Sequence, residues 1–178
     1  MLNKRISQIA LRMLSATQAM ANDQAESKGF QEDSSLKLLL RDAYINRDYK
    51  DGNDDKSEWG QAAIGTFSSG FTQGTIGVGV DAFGLYALNL ERSEDRSGAG
   101  GIDFFKKGAS GAPADDLSKG GAAVKFRLSS TTPTYGDQMP ALPVLNYDNS
   151  RLLPESYTGT LITSKEIKGL ELNAGRFT

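Results

Sequence analysis

Across positions 75–90 the side chains alternate: Ile76, Val78, Val80, Ala82, Tyr86, Leu88 and Leu90 share one parity, and Gly77, Gly79, Asp81 and Asn89 the other. A period of two puts successive side chains on opposite faces of a strand, so this stretch is no helix and one of its faces is apolar. The pattern returns at 35–47, where Leu36, Leu38, Leu40 and Tyr44 oppose Lys37, Arg41 and Arg47. It returns again at 124–129, where Val124, Phe126 and Leu128 oppose Lys125 and Arg127. Weaker strand signals at 59–68, 134–136, 159–164 and 170–177 bring the expectation to about seven strands and an all-β chain.

Composition narrows the chemistry. The 178 residues contain neither histidine nor cysteine, which removes disulfide frameworks, thiolate and imidazole metal sites and His-based triads. Paired carboxylates occur at Asp54-Asp55 and Asp115-Asp116, in polar stretches with nothing concave to shift a pKa, so neither an enzyme nor a cofactor is expected. The Gly77-Val78-Gly79-Val80-Asp81-Ala82 run resembles a dinucleotide fingerprint, but the alternation continues through it and no helix opens after it. Lys and Arg number 20 against 22 Asp and Glu, and no basic patch is interleaved with aromatics, so nucleic acid is a poor partner.

The connections have their own pattern. Segments 48–57, 91–121 and 138–157 are long, while 69–74, 129–133 and 164–169 are short, and the two kinds alternate. Membrane β-barrels have short turns at one rim and long loops at the other. Alternation alone fits equally a soluble ligand-binding barrel with its apolar face inward, or a structural membrane barrel without transport. Loop asymmetry, together with Tyr44, Tyr49, Trp59, Phe67 and Phe71 near strand ends, favours lipid outside and water inside. Segment 138–157 holds Pro140, Pro143 and Pro154 among Met139, Leu142, Val144, Leu145, Leu152 and Leu153. Such a stiff apolar loop needs a wall to pack on, and would present Tyr147, Asp148, Asn149, Ser150 and Arg151 to a lumen. Residues 1–21 have the outline of a signal peptide, with Lys4 and Arg5 before an apolar stretch and Ala19-Met20-Ala21 as a cleavage site, although Arg12 interrupts it.

The runs KGFQEDSSLKLLLRDAYINRDYKD, EWGQAAIGTFSSGFTQGTIGVGVDAFGLYAL and YGDQMPALPVLNYDNSRLLPESYTGTLITSKEIKGLELNAGRF closely resemble the OprD family of substrate-specific outer-membrane porins, in particular a branch that takes up aromatic and other carboxylates. The resemblance implies a monomeric eighteen-stranded transmembrane antiparallel barrel in the bacterial outer membrane. It further implies a third loop folded into the lumen and a ladder of basic side chains along the inner wall. It places that ladder at Arg41, Arg47 and Arg151, and strand parity adds Lys125 and Arg127. The expected partners are small anionic organic acids, outer-membrane lipid and the barrel-assembly machinery. Residues 22–178 suffice for about the first seven strands, so the chain is expected to be an N-terminal fragment, with 138–157 as its constriction loop. Pro133 stands where that pattern asks for a strand-forming residue.

Overall fold

The computed structural model describes residues 23–50, 55–91, 104–107 and 112–178; the expected signal peptide lies outside them. Among the described residues there are nine strands and no helix: β1 (Ser35–Arg47), β2 (Lys56–Ser68), β3 (Ile76–Asn89), β4 (Asp116–Leu128), β5 (Thr131–Gln138), β6 (Ala141–Leu142), β7 (Leu145–Asn146), β8 (Tyr157–Ser164) and β9 (Leu172–Phe177). Seven form one sheet in the order β1-β2-β3-β4-β5-β8-β9, each antiparallel to its neighbour, and β6-β7 is a separate small hairpin. The sheet curls into a half-barrel.

Register settles which side chains share a face. Arg41 lies opposite Ala62, Ala62 opposite Ala87, and Ala87 opposite Leu117, and the segment between β5 and β8 packs on this row. We call this face inner. The other parity carries Leu36, Leu38 and Leu40 of β1, 70–78% exposed, continued by Ile76, Val78, Val80, Tyr86 and Leu88 of β3 and Phe126 and Leu128 of β4. An apolar belt of that extent needs apolar surroundings. A soluble carrier would turn these side chains inward, whereas here the 138–157 segment packs on the opposite face. Asp42 interrupts the belt on β1, where its carboxylate accepts hydrogen bonds from Trp59 Nε1 at 3.2 Å and Gln61 Nε2 at 2.8 Å.

Two local expectations are corrected. β4 begins at Asp116, so 116–121 continues the strand instead of ending the preceding loop. Its Gly120-Gly121 pair and Lys119 hide the alternation, and pairing with β3 from Leu88↔Asp116 onward supplies what the side chains do not. Pro133 lies inside β5, at a point where no β4–β5 bridge forms between Lys125↔Thr134 and Leu128↔Thr131. A residue without an N–H is tolerated where the ladder is interrupted.

β1 to β4 run thirteen or fourteen residues, but β5 and β8 only eight each. Gly136 pairs with Ala123 and Gly159 with Gly136, so the chain leaves the wall after Gln138 and rejoins it at Tyr157, well short of the rim reached by β1 to β4. The intervening segment therefore turns onto the inner face.

At the opposite, short-turn rim, residues 23–34 cross the barrel end. Gln24 N donates to Ser129 O at 3.1 Å, its Nε2 donates to Thr72 O at 2.8 Å, and Gly70 N donates to Phe30 O at 2.9 Å. Glu166, in the β8–β9 turn, ties that turn to the β4–β5 turn by accepting from Ser130 N at 2.8 Å, Ser129 Oγ at 2.9 Å and Thr131 Oγ1 at 2.9 Å. These bonds, led by the one from the Ser130 N–H, hold the Glu166 carboxyl below the usual glutamate range.

Candidate lumen-facing site

The segment between β5 and β8 is seated by one apolar contact and one cation. Leu152, 1% exposed, packs with Phe104, Phe105, Ala62 and Ala87. Gly60 beneath them has to lack a side chain, because a Cβ there would lie 2.6 Å from Leu152 Cδ2 and 2.9 Å from Phe105 Cε2. Glu58, buried on the same face of β2, accepts the Phe104 N–H at 2.5 Å and so pins the 104–107 segment beside the loop. Arg41 reaches across from β1. One guanidinium nitrogen donates to the carbonyls of Arg151 and Leu152, the latter at 3.2 Å, and the other to Asn149 Oδ1 at 2.8 Å. A planar fork that cannot lose its proton is suited to clamping several acceptors at once.

Within the loop, Tyr147 N donates to Pro140 O at 2.9 Å and Glu155 N to Asp148 O at 2.9 Å, closing it into a compact turn. Ser150 N donates to Asp148 Oδ1 at 2.8 Å. The Ser150 hydroxyl and N–H, with Arg151 nearby, hold the Asp148 carboxyl below its ordinary value. Of the residues expected at a lumen, Arg41, Asn149 and Arg151 are thus in direct contact, and Asp148 and Ser150 shape the turn beside them.

Lys125 and Arg127 are also on the inner face, but nearer the short-turn rim and already engaged. Lys125, 7% exposed, forms a 2.6 Å ion pair with Asp81 and donates to Ser68 Oγ at 2.7 Å. Arg127 donates to Gln24 Oε1 at 2.9 Å and lies over the Phe71 ring, 4.1 Å from its centroid. Phe71 therefore serves the inner face instead of an interfacial girdle, while Tyr44 and Trp59 are paired across the outer face near the long-loop rim. Arg47 closes β1 at that rim, opposite Lys56.

Gly60, Glu58, Phe104, Phe105 and Gln24 organise this face without having been singled out in the sequence. Glycine was the available signal. Gly77, Gly79 and Gly121 share the inner parity, and a Cβ on them would strike Gln24, Lys125 and Phe83 respectively. The glycines mark where long side chains lie flat along the wall.

A curled antiparallel sheet with an apolar exterior, a polar inner face and a loop folded onto that face is part of a transmembrane β-barrel. Residues 28–178 match the family model described as outer membrane porin, OprD family, and the chain belongs to that family, whose members are bacterial outer-membrane proteins. It is 48% identical over 160 residues to Porin D of Pseudomonas aeruginosa, covering 90% of this chain and 35% of that protein. Among solved structures it is similar to Acinetobacter baumannii OccAB1, with a TM-score of 0.81 at 41% identity over 88% of this chain and 37% of that one. It is also similar to Pseudomonas aeruginosa OpdK, solved with vanillate, with a TM-score of 0.72 at 39% identity over 84% of this chain and 36% of that one. The chain spans little more than a third of the length of these relatives.

Proposed function

We propose that the chain forms one wall of an outer-membrane channel through which small organic carboxylates diffuse, with the proline-rich segment at 138–157 as its constriction. The observation that carries this reading is the clamp of Arg41 on Asn149 and on the carbonyls of Arg151 and Leu152, which ties a cation of the inner wall to an ordered loop that carries Arg151. Arginine stays charged at every working pH and offers a carboxylate a bidentate partner. Several such groups in succession replace lost hydration while keeping each stop weak, which is what permeation requires. The vanillate bound in OpdK is an aromatic carboxylate and supports this substrate class. Diffusion through such a passage needs no catalytic group and no cofactor.

Arg41, Arg47 and Arg151 serve the substrate path near the long-loop side. Lys125 and Arg127 belong to the same inner face, and their engagement by Asp81, Gln24 and Phe71 assigns them chiefly to holding the short-turn rim. Closure requires strands beyond β1 and β9, so the working channel is this wall completed by further strands and functions as a single barrel in outer-membrane lipid, inserted by the barrel-assembly machinery. Replacing Arg151 by Ala in the completed channel should lower carboxylate uptake and anion preference. Unchanged values for both would remove Arg151 from the path.

A further inference from the structure

The inner wall has a second basic feature, away from the Arg41 clamp. Lys37, Thr66, Phe83 and Gly121 lie in one row across β1 to β4, and Ser35, Ser68, Asp81 and Ala123 in the next such row. The start of the loop, 138–141, overhangs these two rows and borders an open cavity of about 370 Å³, within the range of small-molecule sites. Lys37, Thr66, Ser68, Phe83, Met139 and Leu161 contribute to its lining. The Phe83 ring lies across Gly121, where a Cβ would be 2.5 Å from its Cζ. That glycine lets the ring lie flat along the wall.

The charges around the cavity are unequal in their commitments. Asp81 is neutralised by Lys125 at 2.6 Å, and Asp137 accepts the Thr158 hydroxyl at 2.5 Å. Lys37 has no partner among the described residues. Ser68 Oγ accepts from Lys125, which leaves its own proton to donate. Resting on the channel reading above, we propose that Lys37, Thr66, Ser68 and Phe83 form a subsite for a monocarboxylate carried on a flat apolar body. The ammonium and the two hydroxyls take the carboxylate, Phe83 and Met139 take the body, and the Asp137 carboxylate turns away a second negative charge.

The test uses a closed channel in which residues 23–178 are joined to the strands of OpdK that this chain does not cover, with single-channel and uptake measurements on benzoate, terephthalate, acetate and chloride. The joined channel without substitutions, taken as the wild type for this comparison, should favour benzoate over both terephthalate and acetate. Lys37→Met should reduce benzoate uptake about tenfold, with Lys37→Arg keeping most of it and chloride conductance changing far less. Phe83→Ala should erase the preference for benzoate over acetate. A wild-type channel with no carboxylate preference over chloride would refute the channel reading itself. A carboxylate-selective wild type whose benzoate-to-chloride ratio is untouched by Lys37→Met, or which takes terephthalate as well as benzoate, would overturn the subsite alone.

Discussion

At the scale of single residues, parity identified the cations opposite the apolar face but not what they touch. That Arg41 and Lys125 lie on the face opposite the bulky apolar side chains follows from their neighbours in sequence. Their partners, Asn149 to Leu152 for Arg41 and Asp81 for Lys125, depend on strand register and on a loop more than a hundred residues away. Arg41 therefore has a positioning role in addition to its charge. Hydrogen bonds from a charged donor contribute about 1.5–3 kcal/mol each, so Arg41→Ala should free the loop from β1 while Arg41→Lys keeps the charge but loses the fork. In the completed channel both variants should raise single-channel conductance, Ala more than Lys, because the loop no longer holds its place. A substitution that lowered anion preference without altering conductance would assign Arg41 to charge alone.

At the scale of elements, the long strands were legible where one face was bulky and the other polar, as in β1 and β3. β4 was half hidden because its first residues include Lys119, Gly120 and Gly121, which carry no alternating signal. The inward course of the 138–157 segment was read from its prolines and its apolar side chains. The structure adds the mechanical cause, the shortness of β5 and β8. Two measurements probe these elements. Leu152→Ala should destabilise the loop by about 2–5 kcal/mol, as for other buried leucines, and should increase protease cleavage within 139–156. The Glu166 staple has a defined pH dependence. Its native pKa is depressed, so the stabilisation is full above the ordinary glutamate pKa and declines as pH falls below it. It is lost once pH drops past the depressed native value. Protection of the Ser130 amide, taken relative to its intrinsic exchange rate at each pH, should fall through that acid window, and Glu166→Gln should show low protection with no such pH step.

At the scale of the whole molecule, the decisive feature is that β1 and β9, among the described residues, each pair on one side only. Alternate residues of the thirteen in β1 direct their N–H and C=O groups away from β2, leaving roughly a dozen backbone groups without partners in the sheet. In hydrocarbon each costs several kcal/mol, so two such edges amount to tens of kcal/mol, far more than any loop contact offsets. Residues 1–178 alone in a planar bilayer should accordingly give no steady conductance. The all-β class and about seven strands were legible because alternation needs only local sequence. Inside and outside were not legible from alternation alone, since exchanging them leaves the period unchanged, and the sequence favoured lipid outside only through its loop asymmetry and the aromatics near strand ends. The packed loop and the engaged cations on one face break that symmetry. The most direct test of this orientation places single nitroxide labels at Leu38, Val80 and Phe126 and at Lys37, Asp81 and Lys125 in the completed channel, and compares collision with oxygen and with a water-soluble nickel chelate. The first three should be reached by oxygen from the lipid and shielded from nickel, and the second three the reverse. Labels at Val80 and Phe126 that meet nickel while those at Asp81 and Lys125 meet oxygen would contradict the account.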